Sequence, residues 1–513
     1  MKLDNERNII PRWREFSKTA QLGELSSIRA AEKKVTYDKV DLSNKYQEWD
    51  THRTLPYAAD LVASSFALGC YDYAHSAAEF ILSNESASDF AKDIARKIVF
   101  EELPTNVCTY EDRLYNRKTK QQRVNYLRNL LTADPHNSIA WTDMAREYTM
   151  LGELIKAKRA IEIALNLSPE NRFILRSACR LFHHIDDPGR ALYILRKSSL
   201  VRNDPWIMAA EIASSVVAGK NSGLIRSGMA MVSDKDFHPL HITELSGALG
   251  TIELHNGENR SSRKLFLRSL ESPNDNSFAQ AVWASKIISS LDTEETLKKK
   301  DIPCVYEAHS IKLLRYKDWE GALKETELWL DDQPFSRFPA ILGSYLAADV
   351  VGDYIRAVEI AKMGLEANPN DNTIINNLTF SLASIGQIQE AEQYFSRINL
   401  SDTGVEMKTV WHATKGLIAF RKGLYDEGRE LYRKAIEIAS GKDYKDYREA
   451  AAVYWAREEL LANTIYSSEA VVLASQECAD TDNEFHKVLF ERLIKLYEEK
   501  RDQRDSGSEY SLV

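Results

Sequence analysis

Residues 138–171 read SIAWTDMAREYTMLGELIKAKRAIEIALNLSPEN, and this stretch decides the fold. Trp141, Met144, Ala145 and Tyr148 fall at i, i+3, i+4 and i+7, the spacing that gathers side chains on one face of a helix. Gly152 then allows the chain to turn. Ala157, Ile161 and Ala164 repeat the spacing on a second helix, where the small alanines let a paired helix approach closely. Pro169 blocks continuation and ends the unit.

The same punctuation recurs along the chain. Pro135 lies 34 residues before Pro169, and Pro334 lies 35 before Pro369. Residues 341–369, ILGSYLAADVVGDYIRAVEIAKMGLEANP, place Gly352, Ala357, Ala361 and Pro369 in the corresponding roles. Residues 372–400 place Leu378, Gly386, Ala391 and Phe395 likewise. Weaker copies occupy 172–203, 242–273, 303–334 and 409–440; in the first of these Asp187 before Pro188 predicts a helix N-cap with proline at the first helical position.

With Trp141, Met144, Ala145, Tyr148, Gly152, Ala157, Ile161, Ala164 and Pro169 in register, the 138–171 unit resembles the tetratricopeptide repeat, a helical hairpin of roughly 34 residues. The resemblance covers residues 104–440, most faithfully at 138–171 and less so at 409–440. It implies an all-α fold, an α-α superhelix of stacked hairpins. Flanking it, residues 1–53 are expected to form an N-terminal helical segment, helical after Pro11, with Trp13 and Phe16 as docking residues. Residues 54–103 are expected to form degenerate hairpins or a cap turning at Gly69, residues 441–500 a C-terminal helical cap, and residues 501–513 a disordered tail.

Composition agrees with a folded helical chain. Of 513 residues, 44% are hydrophobic and 28% charged, a globular balance, and only 13 Pro and 21 Gly interrupt them, too few for a turn-rich β fold. A formal net charge of −9 supplies no global field for nucleic acid or an anionic membrane. Cys70, Cys108, Cys179, Cys304 and Cys478 are scattered without a C-x-x-C pair, as in a reducing compartment. Neither a secretory leader nor a membrane-spanning apolar run is written in the chain, so a cytoplasmic protein is expected.

Catalytic signatures fail one by one. GKNS at 219–222 lacks the upstream glycine of a phosphate loop, no H-E-x-x-H occurs, and SGALG at 246–250 sits inside a helical repeat. His183, His184, Asp186 and Asp187 form the most metal-like cluster, but adjacent histidines on a helix diverge and the aspartates stand where a cap is needed. The reading is therefore a non-enzyme with no catalytic residue, no metal and no cofactor.

The resemblance implies a concave face, lined by the first helix of each hairpin, that grips a partner protein or peptide. Carried onto this chain, its groove positions are Ile139, Thr142, Arg146 and Thr149 in one unit and Thr373, Asn376, Asn377 and Phe380 in another. Asparagine amides there could pair with both the donor and the acceptor of a peptide backbone; for Ile139, packing against a neighbouring helix is the alternative. The expected role is a scaffold or regulator, extending by resemblance to control of a partner enzyme in bacterial signalling or defence. Two alternatives stay open: a nucleic-acid adaptor using the basic segment with Arg117, Lys118, Lys120 and Arg123, and a peptide-sensing switch. The lysine, asparagine and arginine set that clamps a terminal carboxylate in some family members is not assembled here. The terminal Ser511-Leu512-Val513 has the spacing of a ligand for carboxylate-binding domains.

Overall fold

The computed structural model describes residues 7–25, 39–68, 71, 73–100, 116–234, 237–401 and 403–509. Every regular element among them is a helix. The chain divides into two compact units: Met1–Leu25 with Lys120–Lys235 and Pro239–Val513, and Ser26–Thr119 with Asp236–His238. The stretch expected to act as one N-terminal segment, 1–53, is thus divided between them.

The larger unit is a stack of helical hairpins forming an α-α superhelix. Ser138–Met150 pairs with Leu154–Leu167, Arg172–His184 with Pro188–Lys197, Pro239–His255 with Asn259–Ser269, and Tyr306–Arg315 with Trp319–Asp332. Further along, Asn372–Ser384 pairs with Ile388–Phe395, Val405–Arg421 with Tyr425–Ile438 and Lys445–Leu461 with Ser467–Cys478. Two local signals repeat with the period of the sequence. Several first helices begin at a side-chain cap: Asn137 accepts from the Ala140 amide, Asn171 from Ile174, Asp204 from Trp206 and Asp371 from Thr373, each capturing an amide that the helix cannot satisfy itself. The turn to the second helix passes through left-handed backbone, at Gly152, Asp186, Gly219, Gly257, Lys317, Gly352, Gly386, Gly423 and Asn463.

Ala157, Ile161 and Ala164 are wholly buried on the second helix of the 138–167 hairpin, as their spacing predicts. Trp141 is only half-buried, its indole N–H donating to the Pro135 carbonyl at 2.9 Å. Asp187 caps Pro188–Lys197 with proline in the first turn, as expected. The superhelix also returns on itself. A Cβ on Gly152 would stand 2.5 Å from the Glu366 carbonyl oxygen, and Lys120 Nζ pairs with Glu366 at 2.8 Å.

Two expectations need correction. After Pro11 the chain forms no regular element until the short helix Phe16–Gln21, the only one between Pro11 and Leu25, because the partners of this segment lie in other elements. The final helix, Glu484–Glu509, runs past 501, where a disordered tail was expected to begin; Ser511, Leu512 and Val513 lie outside the described residues.

The smaller unit has helices Lys39–His52, Leu55–Leu68, His75–Ser83 and Asp89–Phe100 around its own core of Leu42, Trp49, Leu61, Val62, Ile81 and Ile98. Trp49 packs tilted against Phe80, centroids 5.0 Å apart at 59°, and its indole N–H reaches Ser76 Oγ at 3.2 Å.

Candidate functional site

The concave face is made by the first helices of successive hairpins, and its first stretch is filled by the chain's own residues 7–25. The Arg7 guanidinium donates to Glu307 and Asn276, each at 2.9 Å. Arg12 reaches Asp275 at 3.1 Å and also pairs with Glu307. Arg14 bridges Asp275 and Asp332, 2.7 Å from each. Main-chain groups are held too. Gln280 donates to the Arg7 carbonyl at 2.6 Å, Asn276 to the Ile10 carbonyl at 3.0 Å and Arg146 to the Trp13 carbonyl at 3.3 Å, while the Phe16 amide donates to Asp143 at 3.1 Å. Trp13 is fully buried.

The electrostatics follow from this burial. Desolvation alone would raise the Glu307 carboxyl, but Arg7 and Arg12 outweigh it and hold it down at about 2. Asp143 faces no such pair; burial pushes it up to about 7 against the Phe16 amide bond. Burial likewise raises Glu24, whose backbone carbonyl accepts from Arg172 at 3.0 Å.

The groove positions expected in the 138–171 unit are therefore covered. Ile139 packs beside Phe16 and Leu25, Arg146 holds Trp13, and Thr142 and Thr149 are wholly buried with their hydroxyls donating back to Ser138 and Ala145. Residues 7–25 cover Ile139 and Arg146, and Thr142 and Thr149 are buried within the stack itself. A repeat signature locates the concave face but not its occupant.

The second stretch is open. Helices Arg337–Tyr345, Asn372–Ser384, Val405–Arg421, Lys445–Leu461 and Glu484–Glu509 enclose a cavity of about 390 Å³. Thr373, Asn376, Asn377 and Phe380, the expected positions of the second unit, all line it. Asn376 Oδ1 accepts from Thr414 at 2.8 Å, and Asn377 Nδ2 donates to Ser344 Oγ at 3.0 Å. That leaves one amide donor, on Asn376, and one amide acceptor, on Asn377, without a hydrogen-bond partner among the described residues. Asn377 follows its N-cap Asp371 by six residues, as Gln280 follows Asn274 and Asp143 follows Asn137. Gln280 and Asp143 are two of the residues that hold the backbone of the N-terminal segment.

Sequence reasoning missed the far wall of this cavity. Asp349 is presented from a π-helical turn, Leu346–Val351, a distortion often found at functional sites. Burial lifts its carboxyl to about 6, opposed by the Tyr454 hydroxyl that donates to it. Tyr345, Tyr447 and Tyr454 add aromatic surface, and Glu406 and Asp446 add carboxylates. The π-turn has no sequence signature, and the 441–461 stretch carries too weak a repeat pattern to fix its register.

The other expected chemistry is spent within the fold. Lys120 is buried against Glu366, and Arg123 pairs with Glu15 and stacks over Tyr126; the side chains of Arg117 and Lys118 lie outside the described residues. His183 Nε2 meets Ser214 Oγ at 2.8 Å, and burial lowers both His183 and His184 to about 4. Three possible metal donors do converge elsewhere, at Asp446, Glu449 and His486, their ligand atoms within 4.8 Å of one another. Glu449 there already accepts from His486 at 2.7 Å and Thr481 at 2.8 Å.

These features define the class: a helical-repeat protein whose concave face receives extended chain. Residues 412–441 match the family model described as Tetratricopeptide repeat, a stretch in which the residue signature is one of the weaker copies. No curated protein sequence matches the chain. Among solved structures it is similar to yeast Tom70, with 12% identity over 77% of this chain and 94% of that one and a TM-score of 0.28. It is also similar to the APC/C hetero-tetramer Cut9-Hcn1, with 12% identity, 89% and 93% covered and a TM-score of 0.38. The human IFIT1 dimer with PPP-AAAA gives 14% identity, 93% and 99% covered and a TM-score of 0.32. With TM-scores this low, none of the three carries a functional argument. Stacked helical repeats in general present extended concave surfaces for partners. No helix among the described residues is long and apolar enough to cross a membrane.

Proposed function

We propose that this chain is a non-catalytic scaffold or regulator that holds an extended segment of a partner protein in the open stretch of its concave face, between residues 341 and 489. The observation that carries the reading is the 390 Å³ cavity itself, with an amide donor and an amide acceptor, on Asn376 and Asn377, set beside the aromatic surface of Phe380 and Tyr454. A backbone in extended conformation offers the complementary pair, and flat aromatic faces accept its side chains. Residues 7–25 support the reading further, since they show the upstream stretch of the same face holding extended chain through main-chain hydrogen bonds.

A photo-crosslinking amino acid placed at Thr373, in the cavity wall, tests this in the host cell. A discrete protein adduct that disappears when Asn377→Ala and Phe380→Ala are added supports it. Adducts with nucleic acid alone, or no adduct, would overturn it. The nucleic-acid alternative draws no support from Lys120 and Arg123, whose charges are already paired.

A further inference from the structure

We propose that the segment taken by the open stretch is basic, with arginine or lysine side chains placed against Glu406 and Asp446; this rests on the groove reading above. Glu307, the carboxylate that receives both Arg7 and Arg12, stands two residues after the N-cap Val305 of its helix. Glu406 stands two residues after the N-cap Gly404, and Asp446 two after the N-cap Tyr444. Side chains at one position of successive first helices fall on the same face of the stack. The chemistry that receives arginine in the filled stretch therefore recurs in the open one.

The surroundings agree. Asp349 is a third carboxylate in the wall, and no lysine or arginine side chain lines the cavity. The two arginines that act on Asp349 are already engaged: Arg457 with Glu458, the Tyr354 hydroxyl and the rings of Phe380 and Tyr454, Arg492 with the Asp349 carbonyl. Tyr447 gives the stem and head of a bound cation an aromatic face to lie on, whereas Phe380 and Tyr454 already carry the Arg457 guanidinium, 5.2 and 4.9 Å from their ring centroids. An acidic segment, or a nucleic acid backbone, would meet like charge at Asp349, Glu406 and Asp446.

A library of random peptides displayed on phage and selected on the intact chain tests this without knowing the partner. Enriched peptides are synthesised, and their affinities measured for the unaltered protein, for Glu406→Gln with Asp446→Asn, and for Asn377→Ala. Glu406 is exposed and Asp446 half-exposed, so the double variant is expected to keep its melting temperature. Arginine- or lysine-bearing peptides that weaken about tenfold or more in the double variant, and weaken with salt in the unaltered protein, are the expected result. Uncharged or acidic peptides, bound equally by the double variant but lost with Asn377→Ala, would overturn the charge assignment and leave the groove reading standing. Failure to enrich any peptide sensitive to either variant would overturn both.

Discussion

Trp13 and Phe335 lie ring against ring, centroids 5.6 Å apart at an interplanar angle of 51°. Both are fully buried, one on an extended segment near the amino end, the other in the turn after helix Trp319–Asp332. The contact makes residues 7–25 part of the core of the stack. Trp13→Ala should cost about 3–5 kcal/mol, read as a lowered urea midpoint. An unchanged midpoint would mean that the ring is not packed there.

The charges around that segment predict an acid limb of unfolding. Glu307 has its folded pKa lowered from 4.5 to about 2, so its stabilisation is present above the unfolded value and is lost as pH falls through the folded one. Glu307→Gln removes the carboxylate partner of Arg7 and one of the two of Arg12, and should cost about 3 kcal/mol at neutral pH. The variant should also lose the part of the acid limb that Glu307 supplies, and an unaltered limb would remove Glu307 from its cause.

Asp143 predicts the opposite slope. Its pKa is raised from 3.8 to about 7, so the folded state holds the proton more tightly; that contribution is full below 3.8 and lost as pH rises through 7. Denaturant titrations of Asp143→Asn across this window should show a flatter decline with rising pH than the unaltered protein. Parallel curves would mean that Asp143 does not titrate there.

Gly152 and Gly386 separate backbone strain from contact. Both have positive φ, 71° and 82°, and alanine at either should cost about 1–2 kcal/mol from conformation alone. A Cβ at 386 meets open space, whereas at 152 it meets the Glu366 carbonyl oxygen. Gly152→Ala should therefore lower the melting temperature more, and equal losses would contradict the closure of the superhelix between these hairpins.

Trp141→Ala should fall near the lower end of the range for aromatic truncation, about 3 kcal/mol, because the ring is half-buried and gives up one hydrogen bond to Pro135. Calorimetry of the variant reads this directly, and an unchanged transition would mean that the ring contributes no packing.

Much of the fold is legible in the residues, because a hairpin is local. Trp141 to Tyr148 share a face through helical spacing, Gly152 turns the chain, and Pro169 stops it, all within one repeat. Asp187 before Pro188 could be assigned as a cap for the same reason. The site was legible in part. Thr373, Asn376, Asn377 and Phe380 do line one cavity, since repeat register places them on the concave face. Asp349 was not foreseen, because a π-turn shifts the register that would have revealed it, and Glu406 and Asp446 fall just outside the 409–440 copy, where no repeat signature assigns a position.

What the sequence by itself determined is the unit and its period: caps, turns and small-residue contacts are set by neighbours within about 34 residues, close enough for spacing to record them. What only the tertiary structure decided is which part of the concave face is free. Arg7 meets Glu307, Arg14 meets Asp332 and Trp13 meets Phe335 across some 300 residues of chain. No periodicity encodes those pairings; they exist because the folded stack presents a groove lined with carboxylates and amides that the charge and shape of the amino-terminal segment fit.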